Sequence, residues 1–187
     1  RAYASAAKAT KGEILKYKNR PVDVFFTGSC GGITKTPAMV WDGYTSMYPY
    51  KQIKCNFCKH SNYRNWFWHT NLTEISSLFP DNLPIKNICI ENNSNSPQNV
   101  LLKQDNQTKR LTVDEFRLTV GRALGWNKIY SNNYNIIVKD DSVIIKGQGF
   151  GHCIGLCQSG AKEMSRQGKT YLDILRFYYP EADEISK

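Results

Sequence analysis

Hydrophobic and polar residues alternate along several short runs of the chain, which is the pattern of half-buried β-strands. Tyr134–Lys139 and Ser142–Lys146 alternate on either side of an Asp-Asp pair, so they predict a β-hairpin. Glu13–Lys18 and Val22–Thr27, separated by an Asn-Arg-Pro turn, predict a second hairpin. Two further strands are predicted on either side of a polar loop at 91–99.

Helical patterns are fewer and carry clear end signals. Thr112–Leu124 begins with a capping box of Thr112 and Glu115 and is followed by Gly125. Leu156–Arg166 is predicted to be helical up to Gly168, and Thr170 caps a last helix. A short helix is also expected from Asn71 onwards. Strands and helices come in groups and do not alternate regularly as in βαβ units. This order predicts an α+β fold of mostly antiparallel strands and hairpins with a few short helices.

Two glycine-rich turns stand out between these elements. Residues 147–161 contain five glycines together with His152, Cys153, Cys157 and Gln158, and residues 28–32 form a smaller turn around Cys30. Glycine at this density weakens regular structure but permits close approach of the backbone to a ligand or another strand. We expect the two turns to line a common cleft. A packed loop with a structural histidine is the alternative.

Composition limits the classes of function. The 187 residues fit one domain, 1–187, with 60–146 as a candidate inserted subdomain. The net charge of +9 favours an anionic partner, but the basic residues are scattered singly. We therefore expect a solvated basic surface and no nucleic acid partner. No apolar run is long enough to span a bilayer.

Six cysteines allow either a metal site or disulfides. Cys55-x-x-Cys58 has the spacing that lets two thiolates bind one tetrahedral ion, but it also occurs in redox disulfides and in cores. Cys89, at an apolar strand position, is expected in the core. Cys153 and, less favoured, His60 are alternative metal ligands.

The run GQGFGHCIGLCQSGAKEMSRQGKTYLDILRFYYPEA resembles the signature end of the SpoIID/LytB family, GxGxGHGxGxxQxGAxxMAxxGxxYxxILxxYYPG. The Ser-x-Gly-Gly turn at residue 29 and the Pro49-Tyr50 pair also resemble segments of that family. The resemblance implies peptidoglycan glycan strands as the substrate and lytic transglycosylase activity, in which one acid/base group cleaves the strand without water.

The same resemblance assigns candidate site residues. The family's catalytic Glu would lie before residue 1, so the chain is expected to lack its N-terminal catalytic segment, and Arg1 corresponds to an arginine that orients groups near that acid. Apart from the resemblance, Ser29, His152 and Gln158 are polar residues of the two glycine-rich turns and are candidate substrate-binding residues, and Tyr50 is a candidate to stack on a sugar face. A subset of the family carries cysteine at the positions of Cys30, Cys55, Cys58 and Cys157, which implies a structural zinc site; two disulfides are the alternative.

The resemblance also implies an exported protein of the cell envelope, acting on strands already stripped of stem peptides by an amidase. Any signal peptide or membrane anchor would lie outside this chain. Two other functions stay open at this point. The chain could bind glycan without cleaving it, or, less favoured, form a zinc-stabilised nucleic-acid-binding domain.

Overall fold

The computed structural model describes residues 2–79, 84–91 and 98–186 and has the predicted α+β fold. None of the helices in these ranges is long and apolar enough to cross a bilayer. The helices are α1 (Ala2–Ala9), α2 (Leu72–Ser76), α3 (Val113–Leu124), α4 (Gln158–Arg166) and α5 (Tyr171–Tyr178). The strands are β1 (Ile14–Tyr17), β2 (Arg20–Pro21), β3 (Phe26–Thr27), β4 (Trp66–Asn71), β5 (Asn87–Glu91), β6 (Asn99–Lys103), β7 (Thr108–Thr112), β8 (Tyr134–Lys139), β9 (Ser142–Gly147), β10 (Leu156–Cys157) and β11 (Glu184–Ser186).

The strands form three antiparallel sheets and one parallel pair. Their orders are β4-β9-β8, β5-β6-β7 and β11-β1-β2, and β3 pairs with β10 in parallel. The predicted hairpin of β8 and β9 is confirmed, with Asp140 in its turn at a φ of 54°. The hairpin predicted for Val22–Thr27 is only partly correct, because β2 ends at Pro21 and β3 instead pairs with β10.

Local end signals gave the correct helix boundaries in two cases. The capping box of Thr112 and Glu115 is formed at the start of α3, and Thr170 and Asp173 form a second one at α5. In the glycine-rich region the prediction was wrong by two residues, since Leu156 and Cys157 extend as β10 and the helix begins at Gln158. Helix α1 and strands β4, β7 and β11 were not predicted.

The buried side chains form two separate clusters. The larger one packs α3 against the sheets β4-β9-β8 and β5-β6-β7, and its buried members lie between Trp66 and Ile145. The smaller one is built around four cysteines and includes Met164 of α4 and Tyr178 of α5. Most of the larger cluster falls within 60–146, but an inserted subdomain there stays a prediction. Cys89 is half-buried on β5 and belongs to neither cluster, so the expected core position was wrong.

Candidate functional site

The two glycine-rich turns are paired directly with each other. Ser29 N–H donates to Phe150 O at 3.1 Å, and Phe150 N–H donates to Ser29 O at 2.7 Å. Gly149, with a φ of 92°, packs so closely that an added Cβ would lie 2.5 Å from Ser29 O. Only glycine fits there, because both the left-handed backbone and the missing side chain are needed. Residues 28–32 and 147–151 therefore form one structural unit.

Four cysteines lie together beneath this unit. The Sγ atoms of Cys30, Cys55, Cys58 and Cys157 all lie within 4.8 Å of one another, and all four residues are buried. Cys30 comes from the first turn, Cys55 and Cys58 frame a single 3-10 turn, and Cys157 is the N-cap of α4. The cluster thus joins three chain segments that are distant in sequence.

The protein supplies hydrogen bonds to these sulfur atoms. Cys30 N–H and Gly160 N–H both donate to Cys157 Sγ at 3.3 Å, and Tyr178 Oη lies 3.1 Å from Cys55 Sγ. Hydrogen bonds from Cys157 and Cys30 lower the pKa of Cys58 to about 7, and the same two neighbours lower the pKa of Cys55. The pKa values of Cys30 and Cys157 are raised within the same network. Two of the four thiols are therefore prepared to ionise, as metal binding requires.

The geometry of the cluster fits a tetrahedral ion. Bonds of about 2.3 Å from zinc to sulfur place neighbouring sulfur atoms roughly 3.8 Å apart, and Cys30 Sγ and Cys58 Sγ are 3.6 Å apart. All six cysteines are free thiols. The cluster can therefore hold a metal ion.

The alternative ligands lie elsewhere. Cys153 is buried, but its Sγ contacts the backbone oxygens of Ser29 and Gly151, and burial raises its pKa to about 11. It is not part of the cluster, so the suggestion that it replaces a ligand was wrong. His60 is exposed and also lies outside the cluster.

Half-buried aromatic side chains surround His152 on the other side of the turns. Ring centroids of Trp41 and Phe25 lie 5.5 Å and 6.4 Å from that of His152, and Tyr50 lies 5.9 Å from Phe25. Tyr44 completes the group at 5.8 Å from Phe25. We call these five residues the aromatic cleft. Rings that are partly exposed and held by one another suit the apolar faces of a sugar.

His152 has a defined proton arrangement. Its Nδ1 accepts a hydrogen bond from Ile154 N–H at 3.0 Å, so the proton of the neutral ring is on Nε2. Burial lowers the pKa of His152 from its usual value, which keeps the ring neutral at pH 7. A backbone hydrogen bond with Phe26 opposes this effect and acts to raise the pKa.

An ion pair at the edge of the cleft was missed by sequence reasoning. Asp114 accepts hydrogen bonds from Arg117 and Asn132 at 2.8 Å each and from the indole N–H of Trp41 at 3.3 Å. Burial alone would raise the pKa of Asp114, but the hydrogen bonds from Arg117 and Asn132 lower it below its usual value. Asp114 lies in the first turn of α3, where an acidic residue is expected simply to favour the helix dipole, so no local signal indicated this role.

The predicted substrate-binding residues occupy different environments. Tyr50 and His152 both lie in the aromatic cleft, and Tyr50 donates a hydrogen bond to Asp23 O. Gln158 is exposed at the start of α4, in a groove that Phe25 also lines. Ser29 is fully buried, and its Oγ has no hydrogen-bond partner. Arg1 lies outside the described residues. Their binding roles stay predictions.

Comparisons with known proteins agree with the family resemblance. No protein-family model matches the chain. An uncharacterized protein of Brachyspira hyodysenteriae is 31% identical over 187 residues, covering 96% of this chain and 48% of the relative. Stage II sporulation protein D of Bacillus subtilis is 27% identical over 187 residues (97% of this chain, 50% of the relative), and the amidase enhancer of the same organism is 24% identical over 224 residues (94% and 31%).

The fold defines an α+β protein in which two glycine-rich turns pair with each other beside a cluster of four cysteines. Relatives named stage II sporulation protein D match almost the whole chain. The chain is therefore similar to proteins of the SpoIID family. It spans about half the length of the curated relatives it matches.

Proposed function

We propose that this chain is the glycan-binding part of an exported cell-envelope protein that cleaves peptidoglycan strands as a lytic transglycosylase. The observation that supports this most directly is the aromatic cleft, in which a neutral His152 with a protonated Nε2 lies among half-buried rings. Saccharide binding needs such a combination of ring faces and fixed polar groups. The relationship to stage II sporulation protein D and to an amidase enhancer connects the cleft to the cell wall.

The chemistry of the proposed reaction requires one acid/base group. A carboxylic acid protonates the departing glycosidic oxygen, and the sugar's own primary hydroxyl then attacks the anomeric carbon and gives its proton to the carboxylate, which leaves an anhydro sugar end and regenerates the acid. In the family this acid is a Glu that corresponds to a position before residue 1. The residues of this chain would bind and orient the strand: Tyr50 contacts a ring face, and His152 donates a hydrogen bond to a hydroxyl or N-acetyl oxygen. Substrate strands already stripped of stem peptides would make an amidase the functional partner.

Product analysis tests this function. The full-length protein is incubated with strands from which an amidase has removed the stem peptides, and the products are separated and weighed by mass spectrometry. Anhydro-ended fragments, each lighter by one water than a hydrolysis product, are expected. Fragments with reducing ends would contradict the lytic mechanism.

A non-catalytic glycan-binding module is the second candidate. The aromatic cleft fits this candidate as well, because its rings and His152 need only bind the strand. Binding of the stripped strands without any shortened product would support this candidate over the first.

We also propose that the ion held by Cys30, Cys55, Cys58 and Cys157 is structural zinc. Four thiolates are a typical donor set for structural zinc, and a closed site of this kind leaves no open position for substrate. Elemental analysis after purification without chelators should give one zinc per chain. Zinc-free protein with no titratable thiols would instead indicate two disulfides.

A further inference from the structure

A second pocket lies on the surface between the paired turns and α4. It has a volume of about 290 Å³, and it is lined by aromatic, basic and small polar side chains and by one acidic side chain, Glu163. Tyr63 and Phe150 stack in it with ring centroids 4.5 Å apart and planes 25° apart. They are 37% and 41% exposed, so both rings are available to a ligand. Phe150 can occupy this place because Gly28 beneath it lacks a side chain; a Cβ there would lie 2.6 Å from the ring.

The charge of this pocket comes from α4. Lys162 and Arg166 are four residues apart and therefore lie on one face of the helix. Arg166 pairs with Glu163 at 3.6 Å, and the other oxygen of Glu163 accepts a hydrogen bond from Gln167. Lys162 is exposed and has no ion pair with any residue that the structure describes. It is the cation of the pocket that is available to an anion.

We propose that this pocket binds a sugar that carries a carboxylate, namely the lactyl carboxylate of a muramic acid residue in a stripped glycan strand. The inference rests on the proposed function and extends it. Removal of a stem peptide converts a neutral amide at the lactyl group into a free carboxylate, so a cation at this place would distinguish stripped strands from intact ones. The stacked rings accept the apolar face of the pyranose, while Lys162 pairs with the carboxylate.

The position and charge of the pocket favour a glycan. Phe150 is two residues from His152, so their Cα atoms are at most ~7 Å apart and the pocket and the aromatic cleft share one glycine-rich turn. A single available lysine matches one carboxylate for each disaccharide. A nucleic acid, with a phosphate on every nucleotide, would be matched by a row of unpaired cations.

Equilibrium binding to chemically altered strands tests the proposal. The full-length protein is titrated, before products form, with stripped strands and with the same strands after their carboxylates are converted to neutral methylamides. We expect the unmodified strands to bind about 5- to 10-fold more tightly, as for a charge-assisted hydrogen bond. Lys162→Gln should abolish this difference. Lys169→Gln removes the same charge from an exposed position outside the pocket and should preserve it.

Several results would overturn the proposal. Equal affinity of the unmodified protein for charged and neutralised strands would do so, as would a preference that persists in Lys162→Gln protein with an unchanged melting temperature. Tighter binding of poly(glycerol phosphate) or of a single-stranded oligonucleotide would assign the pocket to phosphate instead. If both strand types bind equally and still yield anhydro ends, only this inference fails. If neither type binds, the proposed function fails with it.

Discussion

Replacing one cysteine of the cluster should unfold the region beneath the glycine turns. Cys55 is fully buried, and its Sγ is within 4.8 Å of three other thiols. In the proposed zinc site, Cys55→Ser therefore removes one ligand and leaves three buried sulfur atoms without a common ion. The cysteines are a large part of the smaller core, because four of its nine buried residues are these four. Loss of a metal is among the few changes that cost more than about 4 kcal/mol. For a domain of this size that lowers the melting temperature by roughly 8–16 °C.

Thermal unfolding followed by circular dichroism, with zinc measured on the same samples, checks this prediction. Cys89→Ser is the matched control, since Cys89 is half-buried on β5 and outside the cluster. It should keep its zinc and lose at most about 1 kcal/mol. The reasoning would be refuted if Cys55→Ser protein kept one zinc per chain and melted with the Cys89→Ser control.

Three further changes follow from the same contacts. Gly160→Ala places a Cβ 2.1 Å from Tyr178 Oη and 2.8 Å from Cys55 Sγ, so it should cost about 1–3 kcal/mol in denaturant unfolding, whereas exposed Ser165→Ala on the same helix should cost almost nothing. Burial lowers the pKa of His152 in the folded protein, so its contribution to stability is fully present above roughly pH 6.5 and is lost as the pH falls through this lowered pKa. The free energy of unfolding of His152→Gln protein should therefore depend less on pH in that range. The same pH dependence in both proteins would contradict this. Trp41→Phe removes the N–H that Asp114 accepts and should cost about 1 kcal/mol and weaken glycan binding in calorimetry, while Trp126→Phe, outside the cleft, should leave binding unchanged.

The elements that depend on neighbouring residues could be predicted from the sequence. The capping boxes at α3 and α5 and the hairpin of β8 and β9 involve residues a few positions apart, so their signals lie within a short window. The spacing of Cys55 and Cys58 is equally local. That Cys30 and Cys157 join them could be inferred only through the family resemblance, because the contact spans 127 residues.

Long-range contacts account for what the sequence did not reveal. The parallel pairing of β3 with β10 involves two residues on each strand, too few to produce a periodic pattern. The hydrogen bond from Trp41 to Asp114 spans 73 residues, and each residue has an ordinary local explanation. The complete burial of Ser29 results from the pairing of its turn with the other one, which no local signal indicated, and its binding role stays a prediction.

The most direct test of the account is whether the aromatic cleft binds a glycan strand. The full-length protein, Tyr50→Ala and His152→Ala are each titrated with stripped strands, with Tyr171→Ala as a control for an exposed tyrosine outside the cleft. The account predicts that both cleft variants lose most of their affinity while their melting temperatures show that they remain folded, and that the control binds normally. Undiminished binding by folded Tyr50→Ala and His152→Ala proteins would contradict it.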